Sequence, residues 1–167
     1  MEPEQTGANP DPKPGPDPED AERSDDTHDP WAEGAQRAFE DEDDAREHAY
    51  GLFQRGHALM RGRHHAQAAI VLERAAKLEP GKGSILEALG RAYYNSGQHA
   101  RSAETFASLL DVDPSSHYAH YALGQSFKQL GRPREARTHL RLAVALAPDS
   151  KLYRGALDRM GPPEDRD

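Results

Sequence analysis

The stretch GSILEALGRAYYNSGQHARSAETFASLLDVDPSS, residues 83–116, decides the fold of this chain. Apolar and small side chains recur in it at helical spacing on both sides of Gly97, a residue type that often supplies the left-handed turn at a helix end. Pro114 stops the second helical segment, because the residue before a proline is disfavoured in a helix. The stretch therefore predicts two helices joined by a turn.

The same pattern recurs at an interval of 34 residues. Glycine or another small residue lets two helices approach closely, and a large apolar residue fills the space beside that contact. A fixed period sustained over three units is typical of a repeat protein. The columns that agree are Pro80, Pro114 and Pro148; Gly56, Gly90 and Gly124; Ala68, Ser102 and Ala136; Leu72, Phe106 and Leu140; and Leu59, Tyr93 and Phe127.

This pattern resembles the tetratricopeptide repeat, in which Leu-Gly, an aromatic residue, a turn glycine, Ala, Phe and Pro follow in order. The first unit departs most, since Arg55 replaces the Leu before Gly56 and the turn glycine Gly62 comes one residue early. The residues that carry the resemblance in the second unit are Leu86, Leu89, Gly90, Tyr93, Gly97, Ser102, Phe106 and Pro114. The resemblance implies an all-α fold, an α-solenoid of three helix-turn-helix units in a right-handed superhelix, with units 49–82, 83–116 and 117–150.

A stacked repeat needs a cap on its last unit. Apolar residues at helical spacing, among them Leu152 and Tyr153, predict a capping helix over residues 149–160. The repeat domain is accordingly expected at 48–160, followed by a disordered C-terminus at 161–167.

The first 47 residues differ from the rest in charge. They hold 17 acidic and 4 basic side chains, whereas the remaining residues hold 12 acidic and 17 basic ones. We interpret residues 1–47 as an acidic, Pro-rich disordered tail, because little in it could offset the entropy of ordering the backbone. Trp31, Ala35 and Phe39 indicate a short helix at 31–39, ended by the acidic run 40–44.

Several classes of function are excluded or disfavoured. The chain has no Cys, so a disulfide framework, a thiolate zinc site and a Cys nucleophile are excluded. Neither a membrane-spanning run nor a signal peptide is evident, and a cytoplasmic location is expected. Arg outnumbers Lys by 16 to 5, which indicates a GC-rich bacterial genome. The modest positive charge after residue 47 and the acidic tail argue against nucleic acid as a partner.

No catalytic, metal or cofactor site is predicted. His65 and His99 stand at equivalent repeat positions, but no Asp, Glu or Cys completes a ligand set around them. Residues 81–84, Gly-Lys-Gly-Ser, lack the preceding glycine and strand of a phosphate loop and are better explained as a linker between units.

The resemblance implies that function lies on the concave face, which the first helix of each unit lines. The family's groove-facing places combine aromatic, Met and cationic side chains in this chain, which predicts a partner with apolar anchors and some negative charge. For Tyr50, Phe53 and Tyr118 the alternative is packing between adjacent helices. The candidate groove residues are Tyr50, Phe53, His57, Met60, Arg61, Glu87, Arg91, Tyr94, Asn95, Tyr118, Tyr121, Gln125 and Lys128.

One known ligand of the family is disfavoured by substitution. Members that bind chaperone tails hold a C-terminal carboxylate with Lys, Asn and Arg side chains. The corresponding places here lack every charge and amide that this clamp needs, since they hold Phe53, His57, Ala88, Tyr118 and Ala122.

The main hypothesis is therefore a non-enzymatic adaptor or scaffold that binds a peptide. A second hypothesis is a self-regulated groove, in which residues 31–44 make an intramolecular contact through Trp31 and Phe39. A third is a bacterial secretion-type chaperone, which shares the layout of three repeats.

Overall fold

The computed structural model describes residues 30–162, with side chains from residue 41 onward. Within this range the chain is entirely helical and has no strand, which confirms the predicted all-α repeat fold. The predictions for residues 1–29 and 163–167 lie outside the described residues. The helices are α1 (Pro30–Arg61), α2 (His65–Leu78), α3 (Gly83–Asn95), α4 (His99–Val112), α5 (His117–Gln129), α6 (Pro133–Leu146) and α7 (Lys151–Asp158).

The two helices of each unit are joined by the same turn. Its left-handed residue has φ of 79° at Gly97 and 68° at Gly131, as predicted for these glycines. In the first unit this position falls on Arg63, with φ of 60°, and not on the predicted Gly62. The turn thus keeps the repeat register even where its residue carries a Cβ, at a conformational cost of about 1–2 kcal/mol.

The start of α1 differs from the sequence prediction. One continuous helix runs from Pro30 to Arg61, through the acidic run 40–44 that was expected to end a short helix and through part of the tail expected to be disordered. No Gly or Pro interrupts residues 35–50. Arg46 donates to the carboxylate of Asp43 at 3.0 Å and to that of Glu42 at 3.4 Å, the spacing at which opposite charges support a helix.

Each unit is closed by a glycine on its first helix that faces a large apolar side chain on its second. A Cβ added to Gly90 would lie 2.7 Å from Cε2 of Phe106, and one added to Gly124 would lie 2.9 Å from Cγ of Leu140. Gly56 meets Leu72 in the same way. The helices are therefore packed as closely as backbone allows, as the repeating Gly and large apolar columns predict.

Neighbouring units are joined by different contacts at each junction. Between the first and second units, Tyr93 Oη donates to Glu73 Oε1 at 2.6 Å and Arg101 donates to the same oxygen at 2.9 Å. Burial, and then the hydrogen bond to Glu73, raise the pKa of Tyr93. Between the second and third units, the buried hydroxyls of Ser102 and Ser126 lie 3.0 Å apart, and Ser102 also donates to the carbonyl oxygen of Gly90.

Helix α7 lies within residues 149–160, where the capping helix was predicted. The Ser150 side chain caps the N-terminus of α7 by accepting from the Tyr153 N–H at 3.3 Å. At the other end, the Arg137 guanidinium from α6 donates to the carbonyl oxygens of Met160, Gly161 and Pro162. These bonds hold the segment that follows α7 against α6.

The third unit contains a pair of histidines between α5 and α6, of which His120 is buried and His139 is partly buried. The Nδ1 atoms of His120 and His139 lie 3.0 Å apart, and His120 Nε2 lies 3.3 Å from the Pro114 carbonyl oxygen. Since that carbonyl can only accept, the neutral pair is satisfied when His120 donates from Nε2 and His139 donates from Nδ1. Burial lowers the pKa of His139, the neighbouring His120 lowers it further, and Glu135 opposes these effects.

Substituting Gly90 by Ala should destabilise the chain by about 1–3 kcal/mol, because the added methyl group overlaps the Phe106 ring. Gly51→Ala is the matched control, since a Cβ there meets nothing within 4 Å. The control should stabilise the chain by about 0.5–1 kcal/mol, as alanine favours a helix. Urea unfolding followed by circular dichroism measures both, and equal effects of the two substitutions would contradict this account of the helix contact.

The histidine pair should make stability depend on pH. The folded chain holds His139 neutral, whereas an exposed His titrates near 6.5, so the unfolded chain binds more protons between the two pKa values. The contribution of His139 to the free energy of unfolding therefore has its full value above about pH 6.5, and it decreases as the pH falls below this value.

The control for this effect is the double variant His120→Leu, His139→Val, which installs the residues of the first unit at these places, Leu52 and Val71. Urea unfolding between about pH 5 and pH 8 should show a shallower pH dependence in the variant than in the wild type. Identical slopes would exclude the pair as a source of the dependence.

Candidate functional site

A cleft of about 370 Å³ opens between the second and third units. Its walls combine tyrosines, small residues and polar or cationic side chains from α3 and α5, with a phenylalanine from α4. The lining residues are Arg91, Tyr94, Asn95, Phe106, Tyr118, Tyr121, Ala122 and Gln125.

The cleft side chains share one face of each first helix. On α5, Tyr118, Tyr121 and Gln125 follow at intervals of three and four residues, so they stand above one another. On α3, Arg91, Tyr94 and the adjacent Asn95 follow the same rule. The structure thus brings together, in one cleft, six of the residues that the family resemblance assigned to the groove.

The two walls also touch each other. Gln129 Nε2 on α5 donates to Tyr94 Oη on α3 at 3.5 Å. This bond is long for a hydrogen bond and lies at the surface, so its contribution is small. It nevertheless shows that α3 and α5 lie side by side and form a shared wall.

Phe106 forms the apolar floor of the cleft. It is among the largest fully buried side chains, and its ring meets that of Tyr118 edge to face, with ring centroids 6.1 Å apart. The sequence placed Phe106 only in the packed core of its unit. Its pairing with Gly90 was the available signal, because Gly90 brings the backbone of α3, which forms one wall of the cleft, against the Phe106 ring.

Tyr153 was also missed as a part of this region. Its ring stacks on that of Tyr121 with centroids 4.9 Å apart, and its hydroxyl lies 2.9 Å from Nδ1 of His117. Tyr121 in turn lies 6.3 Å from Tyr118 by ring centroids. The cap helix therefore contacts the aromatic wall through Tyr153. The sequence pattern predicted Tyr153 only as a residue of the capping helix, because it does not show which rings meet across units.

The charge at the rim is carried by Arg91. Its guanidinium lies 3.8 Å from the Glu87 carboxylate, and both side chains are nearly half exposed. Burial raises the pKa of Tyr118, and Arg91 opposes this rise. The Tyr118 phenol is therefore neutral at physiological pH, and the cleft offers hydroxyl groups, ring faces and one cation.

The predicted residues of the first unit lie outside this cleft. Tyr50 is 62% exposed, whereas Phe53 packs against buried residues of the core, as the packing alternative described. His57 meets Phe53 edge to face at 4.4 Å, and the Met60 sulfur lies 3.4 Å from His65 Nδ1.

The remaining predicted groove residues do not share one site. Arg61 and Lys128 are exposed, and Glu87 pairs with Arg91 beside the cleft. For Tyr118 both interpretations hold, because its ring packs against the core of the second and third units and also lines the cleft.

The described residues contain neither a cluster of metal ligands nor a helix that could cross a membrane. Among residues whose side chains are described, no group of three or more His, Cys, Asp or Glu could hold a metal ion. Over the described part of the chain, every helix is too short or too polar to cross a bilayer.

Comparison with known proteins identifies the family. The sequence profile of the tetratricopeptide repeat matches residues 53–102 and 87–151. The chain belongs to the tetratricopeptide repeat family. This family is a protein-interaction fold and not a family of enzymes, and its match covers the cleft and both helices that form its walls.

Individual relatives are distant. The chain is 27% identical over 112 residues to Superkiller complex protein 3 of Mus musculus and spans only 7% of that protein's length. The Arabidopsis OM64 TPR domain superposes with a TM-score of 0.66 at 20% identity, covering 70% of this chain and 96% of that one.

Two solved structures contain a bound peptide. The first TPR of Spaghetti (RPAP3), bound to the HSP90 peptide SRMEEVD, superposes with a TM-score of 0.65 at 15% identity, covering 68% of this chain and 90% of that one. The Yersinia enterocolitica type III secretion chaperone SycD, in complex with a peptide of the translocator YopD, gives a TM-score of 0.62 at 15% identity, covering 66% and 90%. At these identities the likeness establishes the fold alone.

Proposed function

We propose that this protein is a non-enzymatic interaction module that binds a peptide or a partner segment on its concave face, as an adaptor or scaffold. The observation that carries the proposal is the cleft itself, in which Tyr94, Tyr118 and Tyr121 surround a space of about 370 Å³. A space of this volume accommodates one or two large side chains. The cleft is the anchoring site of the proposed ligand.

The chemistry of the cleft defines the ligand class. Tyrosine rings offer large contact area with a polar end, and they anchor interfaces at low entropic cost. Arg91 at the rim favours a carboxylate beside the anchored side chain. We therefore propose a peptide that carries an aromatic or large aliphatic residue next to Asp or Glu.

A carboxylate clamp of the kind that holds chaperone tails does not fit this surface. Of the three clamp places on the first helices of the second and third units, one holds the uncharged Tyr118 and two hold Ala88 and Ala122, which are 5% and 7% exposed. Neither alanine can donate a hydrogen bond from its side chain. The proposed ligand is therefore held by its anchor residue and not by its terminal carboxylate.

A groove occupied by the chain's own acidic segment is the alternative proposal. Opposite charges on the two parts of the sequence favour it. For residues 41–44, however, the continuous helix α1 places the acidic run on the same helix as Tyr50 and Phe53. Folding this run back onto the concave face would require α1 to break, with loss of the bonds from Arg46 to Glu42 and Asp43.

Removal of residues 1–44 tests the alternative without touching the cleft. If the segment occupies the groove, the NMR amide resonances of Tyr94, Tyr118 and Gln125 should shift when it is deleted. Resonances that stay in place would exclude this contact.

A bacterial secretion-type chaperone in the cytoplasm is a narrower form of the main proposal and predicts the same cleft with an unfolded effector as its ligand.

The main proposal is tested by selecting peptides of about 12 residues, about 40 Å long when extended, from a random display library with the full chain as bait. The double variant Tyr94→Ala, Tyr121→Ala should bind the selected peptides at least about 30-fold more weakly, since each lost anchor costs about 1–2 kcal/mol. Fluorescence anisotropy of the labelled peptides measures this change.

Two controls accompany the double variant. Ile70→Ala and Val112→Ala truncate apolar side chains that are 61% and 52% exposed on second helices, and they should leave affinity within about twofold. Circular dichroism should show nearly unchanged helicity in all variants. Full binding by the double variant, or failure to select any peptide that depends on these tyrosines, would refute the cleft as the binding site.

A further inference from the structure

Helix α7 continues the repeat register beyond the third unit. Lys151, its first residue, lies 34 positions after His117, the first residue of α5. In this register, three residues of α7 and the residue that directly follows it hold the repeat positions of cleft residues on α5. Leu152, Gly155, Ala156 and Arg159 correspond to Tyr118, Tyr121, Ala122 and Gln125.

Contacts place α7 beside α5 as this register requires. The Tyr153 ring stacks on that of Tyr121 at 4.9 Å, and the Tyr153 hydroxyl lies 2.9 Å from Nδ1 of His117. On the other side of α5, Gln129 reaches Tyr94 of α3. The helices α3, α5 and α7 therefore form one row, in which α7 extends the wall that carries the cleft.

Capping explains only part of α7. A cap covers the last unit with apolar residues and turns a polar face outward. Tyr153 and Ala156, which are 6% and 2% exposed, perform this role. Leu152 does not, because it is apolar and 54% exposed at the place where α5 carries Tyr118.

Gly155 and Arg159 complete an unusual surface beside Leu152. A Cβ added to Gly155 would lie 3.3 Å from the Nη1 atom of Arg159. The guanidinium thus covers the position from which α5 projects the Tyr121 side chain. At this end of the row a cation lies next to an exposed leucine, where the preceding helix has aromatic rings.

We propose that α7 carries a second part of the binding surface, on which Leu152 contacts an apolar side chain and Arg159 binds a carboxylate of the peptide that fills the cleft. This inference rests on the proposed function and adds to it a direction and a length, because the ligand extends from the cleft across Tyr121 towards the C-terminal end of the repeat. The occupant is an acidic peptide segment with apolar residues at two separated points.

Charge supports an acidic occupant. The groove-facing places of the first helices and of α7 hold four cations and one acid, and residues 48–167 as a whole hold 17 basic and 12 acidic side chains. The single acid, Glu87, already lies beside Arg91. Positive charge therefore outweighs negative charge at these places, which favours and steers a ligand of opposite charge. The cations are Arg61, Arg91, Lys128 and Arg159.

The test uses the peptides selected on the full-length wild-type chain. Leu152→Ala should weaken their binding about fivefold, from loss of apolar contact on a half-exposed side chain. Arg159→Glu should weaken it about tenfold, and this effect should grow at low salt. The matched controls are Leu142→Ala and Arg141→Glu, exposed neighbours on α6, which should change affinity less than twofold.

The outcomes separate the two proposals. Peptides that lose affinity with Tyr121→Ala but stay within twofold of wild type with Leu152→Ala and Arg159→Glu would overturn the α7 surface and leave the cleft intact. If no selected peptide depends on Tyr121, both proposals are wrong. Loss of affinity in the α7 variants alone, with unchanged helicity and unchanged control variants, would refute the cleft as the main anchor and with it the path of the ligand from the cleft to α7.

A direct measure of contact is available because the chain has no Cys. The variants Leu152→Cys and Leu142→Cys each provide a single thiol for a spin label. With isotope-labelled peptide, the label at 152 should strongly attenuate NMR resonances at one end of the bound peptide, and the label at 142 should attenuate them far less. Equal attenuation from the two labels would contradict the proposed path of the ligand.

Discussion

The close contact between a glycine on the first helix and a large apolar side chain on the second determines the geometry of every unit. At Gly90 the backbone of α3 lies directly against the Phe106 ring, and at Gly124 the backbone of α5 lies against Leu140. Any side chain at these glycines would push the helices apart. Because the same contact recurs in each unit, the first helices are presented in a row at the same depth, and a continuous surface results.

That surface forms a cleft between the second and third units, where large tyrosine side chains stand beside a small residue. The small residue Ala122 and the Phe106 ring line the space, and Tyr94, Tyr118 and Tyr121 stand around it. The first unit has the same backbone but fills its corresponding places with Phe53 packed inward and Tyr50 exposed. The position of the cleft therefore depends on local side chains rather than on the repeat itself.

The polar contacts differ from one junction between units to the next. Glu73 receives hydrogen bonds from Tyr93 and Arg101 at the first junction, whereas buried serine hydroxyls meet at the second. The third unit holds the His120 and His139 pair where other units have apolar or hydroxyl side chains. At the second junction such a contact resists rearrangement, since removal of one of the buried Ser102 and Ser126 hydroxyls leaves the other without that hydrogen bond.

By itself the sequence determined the helices, the period and the turns at Gly97 and Gly131, because these follow from periodicity and backbone sterics within one unit. The face on which six of the cleft residues lie was predicted from the resemblance to the repeat family. The prediction that the acidic run 40–44 ends a short helix was wrong, because α1 continues to Arg61 and Arg46 pairs with Glu42 and Asp43 one turn earlier on the same helix. Only the tertiary structure decided that Phe106 forms the floor, that Tyr153 stacks on Tyr121 and that Phe53 turns inward. These outcomes depend on which side chains meet across units, and distance between residues far apart in the chain is set by packing and not by spacing along it.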